Sequence, residues 1–459
     1  MSKEHIVTIN PATEEKLNEY KYLTDKELKD NIEACNTAFL DWKLKPVEER
    51  AKIIEAIGKE LTKNKTELAK LMTNEMGKII SQSEHEIDLC AGICSYTAKN
   101  GPENLATEKR TLSNGKDGLV AYSPIGIVYG IQPWNYPSYQ VIRYAIVNLM
   151  AGNGVLLKHA SNVTGTGQFL EKVFVDGGLP KGLFQALKIS HAQSDTIIKN
   201  KHVRGVTLTG SSDAGRNIGE KATAELKKVV LELGSNDAYL VLEDADLETA
   251  IEECVKGRIY NNGETCIAAK RFIVVEKVYE DFKKGFVKAM ENIKVGNPLE
   301  DGVDMGPIAR EDLRETLHNQ VEKSVKNGAE ILCGGKIPNG KGYFYPVTVL
   351  GNVKPGQPAY SDELFGPVAS LIKVKDEQEA IKIANDSRFG LGGGIFTKDI
   401  EKAKEIATNH FDTGMVFINT FGIADPSMPF GGVKDSGFGR EHGGFGIKEF
   451  VNIKSIVLG

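Results

Sequence analysis

Apolar residues recur at helical spacing through roughly the first 100 positions. Between positions 47 and 76, Ile53, Ile54, Ile57, Leu61, Leu68 and Leu71 stand among charged residues and predict an apolar stripe on a helical face. A polar stretch with Gly101, Pro102, Asn114 and Gly115 follows and predicts a loop with a projecting hairpin. From position 125 the pattern changes. Short apolar runs at 125–131, 154–157, 203–208, 229–233, 238–242 and 272–275 alternate with helical stretches. Such alternation predicts βα units and a parallel sheet. A second series has strands at 368–374, 394–396 and 415–418 and helices near 377–385 and 400–409. The chain is therefore expected to be α/β with two α/β domains.

Its length of 459 residues agrees with two or three domains. The formal net charge of −5 argues against a general affinity for nucleic acid or an acidic membrane. The cluster Lys199, Lys201, His202 and Arg204 reads as a solvated turn before a strand. Six cysteines (35, 90, 94, 254, 266 and 333) form no CxxC pair and no Cys/His metal spacing. No metal is expected, Cys90 and Cys94 read as packed thiols on one helix face, and a reducing cytoplasm fits. The first residues lack the apolar core of a secretory signal. No run of about 18 apolar residues predicts a bilayer span.

Four segments carry candidate chemistry. Thr207 to Gly215 closes an apolar run and opens a helix. Gly210 permits a tight turn, and Ser211 or Ser212 can cap a helix whose free N–H groups attract phosphate. Alone, that turn is more often a plain capped helix. Cys266 ends Asn-Gly-Glu-Thr-Cys, a turn in which a thiol is accessible enough to react, although a small buried thiol is the commoner case. Glu232 closes a mostly apolar strand beside Gly234, where desolvation would raise its pKa toward that of a general base. A salt-bridged strand end is the alternative. Asn135 lies in Pro-Trp-Asn-Tyr-Pro, whose two prolines fix the direction of an amide suited to an oxyanion hole. A packed Pro/aromatic turn would look the same.

Together these segments resemble the aldehyde dehydrogenase superfamily. The resemblance is carried by PWNYP (133–137), LLKHAS (156–161), TLTGSSDAG (207–215), LELGSND (231–237), NGETC (262–266), ELFGP (363–367) and PFGGVKDSGFGRE (429–441). They occur in the family's order, with Glu232 and Cys266 34 residues apart as its pattern requires. The resemblance implies a Rossmann-like cofactor domain (1–104 and 124–231), an α/β catalytic domain (232–430) and a small β oligomerisation arm (105–123 and 443–459). It implies that the Cys266 thiolate attacks an aldehyde, that Asn135 and the Cys266 N–H hold the oxyanion, and that Glu232 activates water against the resulting thioester. It implies NAD or NADP as cofactor. Lys158 and Ser161 would lie near the adenosine ribose, and Gly210 and Ser211 near the pyrophosphate. Glu363 would bind the nicotinamide ribose, with Trp134 and Phe365 at that end.

Ser161 stands where strict NAD users of the family carry Glu, so acceptance of NADP is expected. Glu264 replaces the commoner Gln, and Ala268 removes a second loop cysteine. Arg143, eight residues after Asn135, is typical of the succinate-semialdehyde dehydrogenases, whose shorter bacterial branch the run 138–163 resembles. There it pairs with the distal substrate carboxylate, a task suited to the planar guanidinium fork. A second arginine of some relatives would fall at Tyr260, for which Arg258 is a substitute, and Ser427 is a further candidate contact. The implied reaction is oxidation of a small aldehyde, foremost succinate semialdehyde. Glutarate semialdehyde, betaine aldehyde and glyceraldehyde-3-phosphate are alternatives, and a redox-independent cysteine esterase is a more distant one. A homodimer or homotetramer is expected, because the arm's edge strands need covering.

Overall fold

Strand Ile127–Gln132 is apolar along nearly its whole length because it is covered on both faces. It pairs in parallel with Gly154–His159 on one side and Val203–Thr209 on the other. The computed structural model, which describes residues 5–459, continues this sheet outward to Phe184–Ala186 and, beyond Val203–Thr209, to Lys228–Glu232. The chain thus reverses its direction of travel at Ile127–Gln132. In an open parallel sheet, such a reversal leaves a crevice at the carboxyl ends of the strands. Pro133 to Asn135 and Gly210 to Ser211 stand on its rim. Helix Tyr139–Ala151, buried at every position, backs the sheet.

A second sheet has the order Glu330–Cys333, Thr348–Gly351, Val368–Val374, Arg271–Val275, Ala238–Val241, Gly393–Phe396 and Phe417–Ile418. All its pairs are parallel except that between Glu330–Cys333 and Thr348–Gly351. Residues 233–237 join the carboxyl end of the first sheet to the amino end of the second. Glu232 therefore ends the last parallel strand of one sheet, and Cys266 precedes the second sheet's strand Arg271–Val275. The cleft between these two ends holds the candidate site.

Strands Glu108–Thr111, Asp117–Pro124 and Val451–Val457 form a separate antiparallel sheet. Ile453 and Val457 are exposed on it. No helix among the described residues is long and apolar enough to cross a membrane.

Several expectations need correction. The first hundred residues are not all helical, because His5–Ile9 and Lys16–Lys21 pair antiparallel before the first helix. Ile6 and Thr8 face inward while Val7 and Ile9 face out. That period of two is too short to stand out beside the helices that follow. The helical stretch 47–76 is two helices, Val47–Lys63 and Lys65–Met76, meeting at Asn64. Gly101 and Pro102, read as loop, lie in the last turns of Ile80–Asn104, where proline forfeits only one backbone bond. Segment 431–442, outside the expected domain bounds, returns to the cofactor sheet, where Gly437–Phe438 pairs antiparallel with Lys228–Glu232.

Candidate active site

Cys266 is half-buried, whereas every other residue from 261 to 270 is buried. The turn before it is held in an uncommon conformation. Asn261, Asn262 and Gly263 have φ of 56°, 58° and 73°. A Cβ on Gly263 would stand 2.5 Å from the Gly366 carbonyl carbon. Left-handed residues persist where surrounding bonds over-determine them. Here Asn262 Nδ2 donates to the Pro307 carbonyl at 2.9 Å, and its Oδ1 accepts from Gly306 N–H at 2.9 Å. Asn261 Nδ2 donates to the Asn135 carbonyl at 3.0 Å. The Tyr136 and Thr265 hydroxyls are bonded at 2.9 Å.

Asn135 is carried by the segment leaving the central strand of the cofactor sheet. Its Nδ2 donates to the Glu264 carbonyl at 3.0 Å, and its Oδ1 accepts from Gln140 Nε2 at 3.3 Å. Gln140 thus fixes the amide's orientation, and the second Nδ2 hydrogen remains for a ligand oxygen. The whole segment is anchored from below. Glu86 Oε1 accepts from the Ser138 and Tyr139 N–H groups at 2.7 and 2.8 Å, and its other oxygen pairs with the fully buried Lys78. Lys78 Nζ also lies 4.2 Å from the Tyr136 ring centroid.

Glu232 is 2% exposed, and neither of its carboxyl oxygens has a hydrogen-bond partner. Burial holds its carboxyl well above the usual range, while Arg143 and Arg440 oppose the shift. Burial also pushes the Cys266 thiol up to about 12, against the pull of the Arg143 and Lys270 charges. A buried carboxyl with unspent lone pairs, beside a thiol within reach of its field, can take a proton from water. The cavity in front of Cys266 is lined mainly by Tyr136, Tyr139, Gln140, Tyr260, Ile267 and Phe430.

A second cleft, of about 270 Å³, contains Lys158, Ser161, Lys188, His191 and Arg310 among its lining residues and no carboxylate. Cations without a carboxylate fit the ribose-phosphate end of a dinucleotide, 2′-phosphorylated or not. Gly210 and Ser211 precede helix Ser212–Ala224, and Ser211 Oγ caps it by accepting from Ala214 N–H at 3.2 Å. Trp134 and Phe365 pack edge to face at 5.7 Å. Glu363 Oε1 accepts from the Ser235 N–H at 3.0 Å and lies 3.2 Å from Lys270 Nζ. Gly234 is required beside it, since a Cβ there would meet Glu363 Oε2 at 2.4 Å. Among the described residues, no group of three His, Cys, Asp or Glu could hold a metal ion.

Three substrate contacts expected from sequence are placed differently. Arg143 lies one layer behind the cavity wall, with its guanidinium 5.2 Å from the Tyr139 ring and 4.9 Å from the Phe430 ring. Its Nε pairs with Glu441 at 2.5 Å and its Nη2 donates to Thr209 Oγ1 at 2.9 Å. Nη2 is spent on Thr209 and Nε is held against Glu441, so no free fork faces the cavity, although Nε and Nη1 donate no hydrogen bond. Arg258 is fully buried and donates to the Gly263 carbonyl at 2.6 Å, so it braces the nucleophile turn instead of reaching the cavity. Ser427 is exposed and bonds Asp425 at 2.5 Å, while Ile423 and Ala424 of the same loop line the cavity. Sequence reasoning missed Gln140, Glu86, Lys78, Lys270 and Glu441. None lies in a motif that names its partner.

Residues 1–456 match the model of the aldehyde dehydrogenase family. The chain is 42% identical over 452 residues to the succinate semialdehyde dehydrogenase [NAD(P)+] of Escherichia coli K12, covering 98% of this chain and 97% of that one. It is 39% identical over 449 residues to the succinate-semialdehyde dehydrogenase [NADP(+)] of Deinococcus radiodurans, covering 98% and 94%. It superimposes with a TM-score of 0.97 on the crystal structure of succinic semialdehyde dehydrogenase from Streptococcus pyogenes in complex with NADP+, at 35% identity and 99% coverage of both chains.

Proposed function

The chain belongs to the aldehyde dehydrogenase family, and from that premise we propose that it oxidises succinate semialdehyde to succinate with NADP or NAD. One observation carries the reading. A half-buried thiol, an amide with an unspent donor and a buried carboxyl with unspent acceptors meet where the ends of the two sheets face each other.

In this reading the Cys266 sulfur adds to the aldehyde carbon. The remaining Asn135 Nδ2–H donates to the oxygen as it gains charge, and such a donor lowers the barrier by roughly 2.7–4 kcal/mol. The dinucleotide, when bound, supplies the two-electron oxidant that makes the adduct a thioester. Lys158 and Ser161 would hold its adenosine ribose, Gly210 and Ser211 its pyrophosphate, and Glu363 its second ribose, with Trp134 and Phe365 at that end. Glu232 then takes a proton from the water that attacks the thioester, and the acid leaves with Cys266 restored.

The succinate semialdehyde assignment draws on the full-length relatives and on the positive charge of Arg143 behind the aromatic wall of the cavity. The exposed Ile453 and Val457 on the arm sheet favour a homodimer or homotetramer, and six cysteines without a disulfide fit a reducing cytoplasm. The test is kcat/KM on succinate semialdehyde, glutarate semialdehyde, betaine aldehyde and butanal with each cofactor. Succinate semialdehyde should lead by tenfold or more, a margin of about 1.4 kcal/mol. Equal rates across the panel would refute the substrate assignment.

A further inference from the structure

Lys270 is 1% exposed and its side chain runs between the nucleophile turn and Glu363. Its Nζ donates to the Cys266 carbonyl oxygen at 2.5 Å and lies 3.2 Å from Glu363 Oε1. A buried ammonium requires such partners, because uncompensated charge in the interior is costly. Lys270 has a second consequence. Its charge sits beside the peptide of the one half-buried cysteine in the cavity, where solvent screens it poorly.

We propose that Lys270 is a positioning residue for the nucleophile: its ammonium fixes the Cys266 peptide through the carbonyl and supplies positive charge that favours the thiolate. The inference rests on reading Cys266 as the nucleophile. The groups acting on the sulfur are few. Arg143 and Lys270 favour its charged form, whereas burial, Glu363 and Glu232 oppose it, and the Tyr136 and Tyr139 phenols share its field. Arg143 is already committed to Glu441. Lys270 is committed to Glu363, and it also acts on the buried Asp237. Because Lys270 bridges Glu363 and the Cys266 carbonyl, the proposed ribose ligand and the nucleophile share one cation.

The test is iodoacetamide alkylation of the full-length protein without cofactor. Label on the Cys266 peptide is read by mass spectrometry across pH. Lys270→Met should move the midpoint of the rate profile up by about one pH unit or more, the usual effect of removing an opposite charge at close range. At a fixed pH below the midpoint, labelling then slows about tenfold. Lys270→Arg, which keeps the charge, should stay within a few tenths of a unit. Glu363→Gln should move the midpoint down, which gives a readout even if Lys270→Met does not fold. An unchanged midpoint in folded Lys270→Met, or in Glu363→Gln, would overturn the proposal. Absence of label at Cys266 in the unaltered protein would overturn the underlying reading of the nucleophile.

Discussion

Arg143 Nε lies 2.5 Å from Glu441 Oε2, with both side chains out of solvent. The pair sits behind the aromatic wall of the substrate cavity, and the Arg143 charge also acts on Glu232 and Cys266. Removing one member of a buried pair leaves the other unpaired, at a cost of about 3–5 kcal/mol. Arg143→Leu should therefore lower thermal stability and reduce kcat/KM on both succinate semialdehyde and butanal, with the greater loss on the charged substrate. Butanal turnover left intact would show that Arg143 serves only a substrate carboxylate and not Glu441 and Glu232.

Ser161 is exposed on a cleft whose charged lining residues are all basic. NADP and NAD should therefore be used with kcat/KM values within about 100-fold of each other, a difference of roughly 2.7 kcal/mol. Ser161→Glu would place a carboxylate against the 2′-phosphate. It should reduce kcat/KM with NADP by tenfold or more while leaving NAD within a few-fold. Comparable losses with both cofactors would mean that Ser161 does not face the 2′ position.

The pH dependence follows from two raised groups. Cys266 and Glu232 both act deprotonated, and burial raises both above their ordinary values. Each active form is therefore lost at a higher pH than for the free side chain as the solution is acidified. The kcat/KM profile should climb between about pH 6 and 10 without an early plateau. A profile flat above about pH 7 would mean that bound substrate or cofactor has already drawn the thiol down.

How much of this was legible in the sequence depended on whether a residue's signal was local. Cys266, Glu232 and Asn135 stood out because each lies in a short motif punctuated by glycine or proline, with Glu232 and Asn135 at the end of an apolar run and Cys266 in a turn after a helix. The parallel sheets were legible for the same reason, since strands such as 127–132 and 238–241 are continuous apolar blocks. Phe184–Ala186 and Glu330–Cys333 were not, being three and four residues long with no clear alternation. Arg143 was visible as a charge in an apolar helix, but its partner lies far along the chain at Glu441 and no spacing rule joins them. Lys78 and Glu86 read as ordinary polar positions of the helical region. Only the packed fold shows that they anchor the segment bearing Asn135.

The most direct test is the fate of the thioester when its base is removed. Glu232→Gln keeps the side chain's shape and removes its ability to take a proton. Steady-state turnover should fall by about 10²–10⁴-fold, while one equivalent of NADPH forms in a burst. Mass spectrometry of the quenched protein should find a succinyl group on the Cys266 peptide. Undiminished turnover, or a burst with no acyl group at Cys266, would contradict the account.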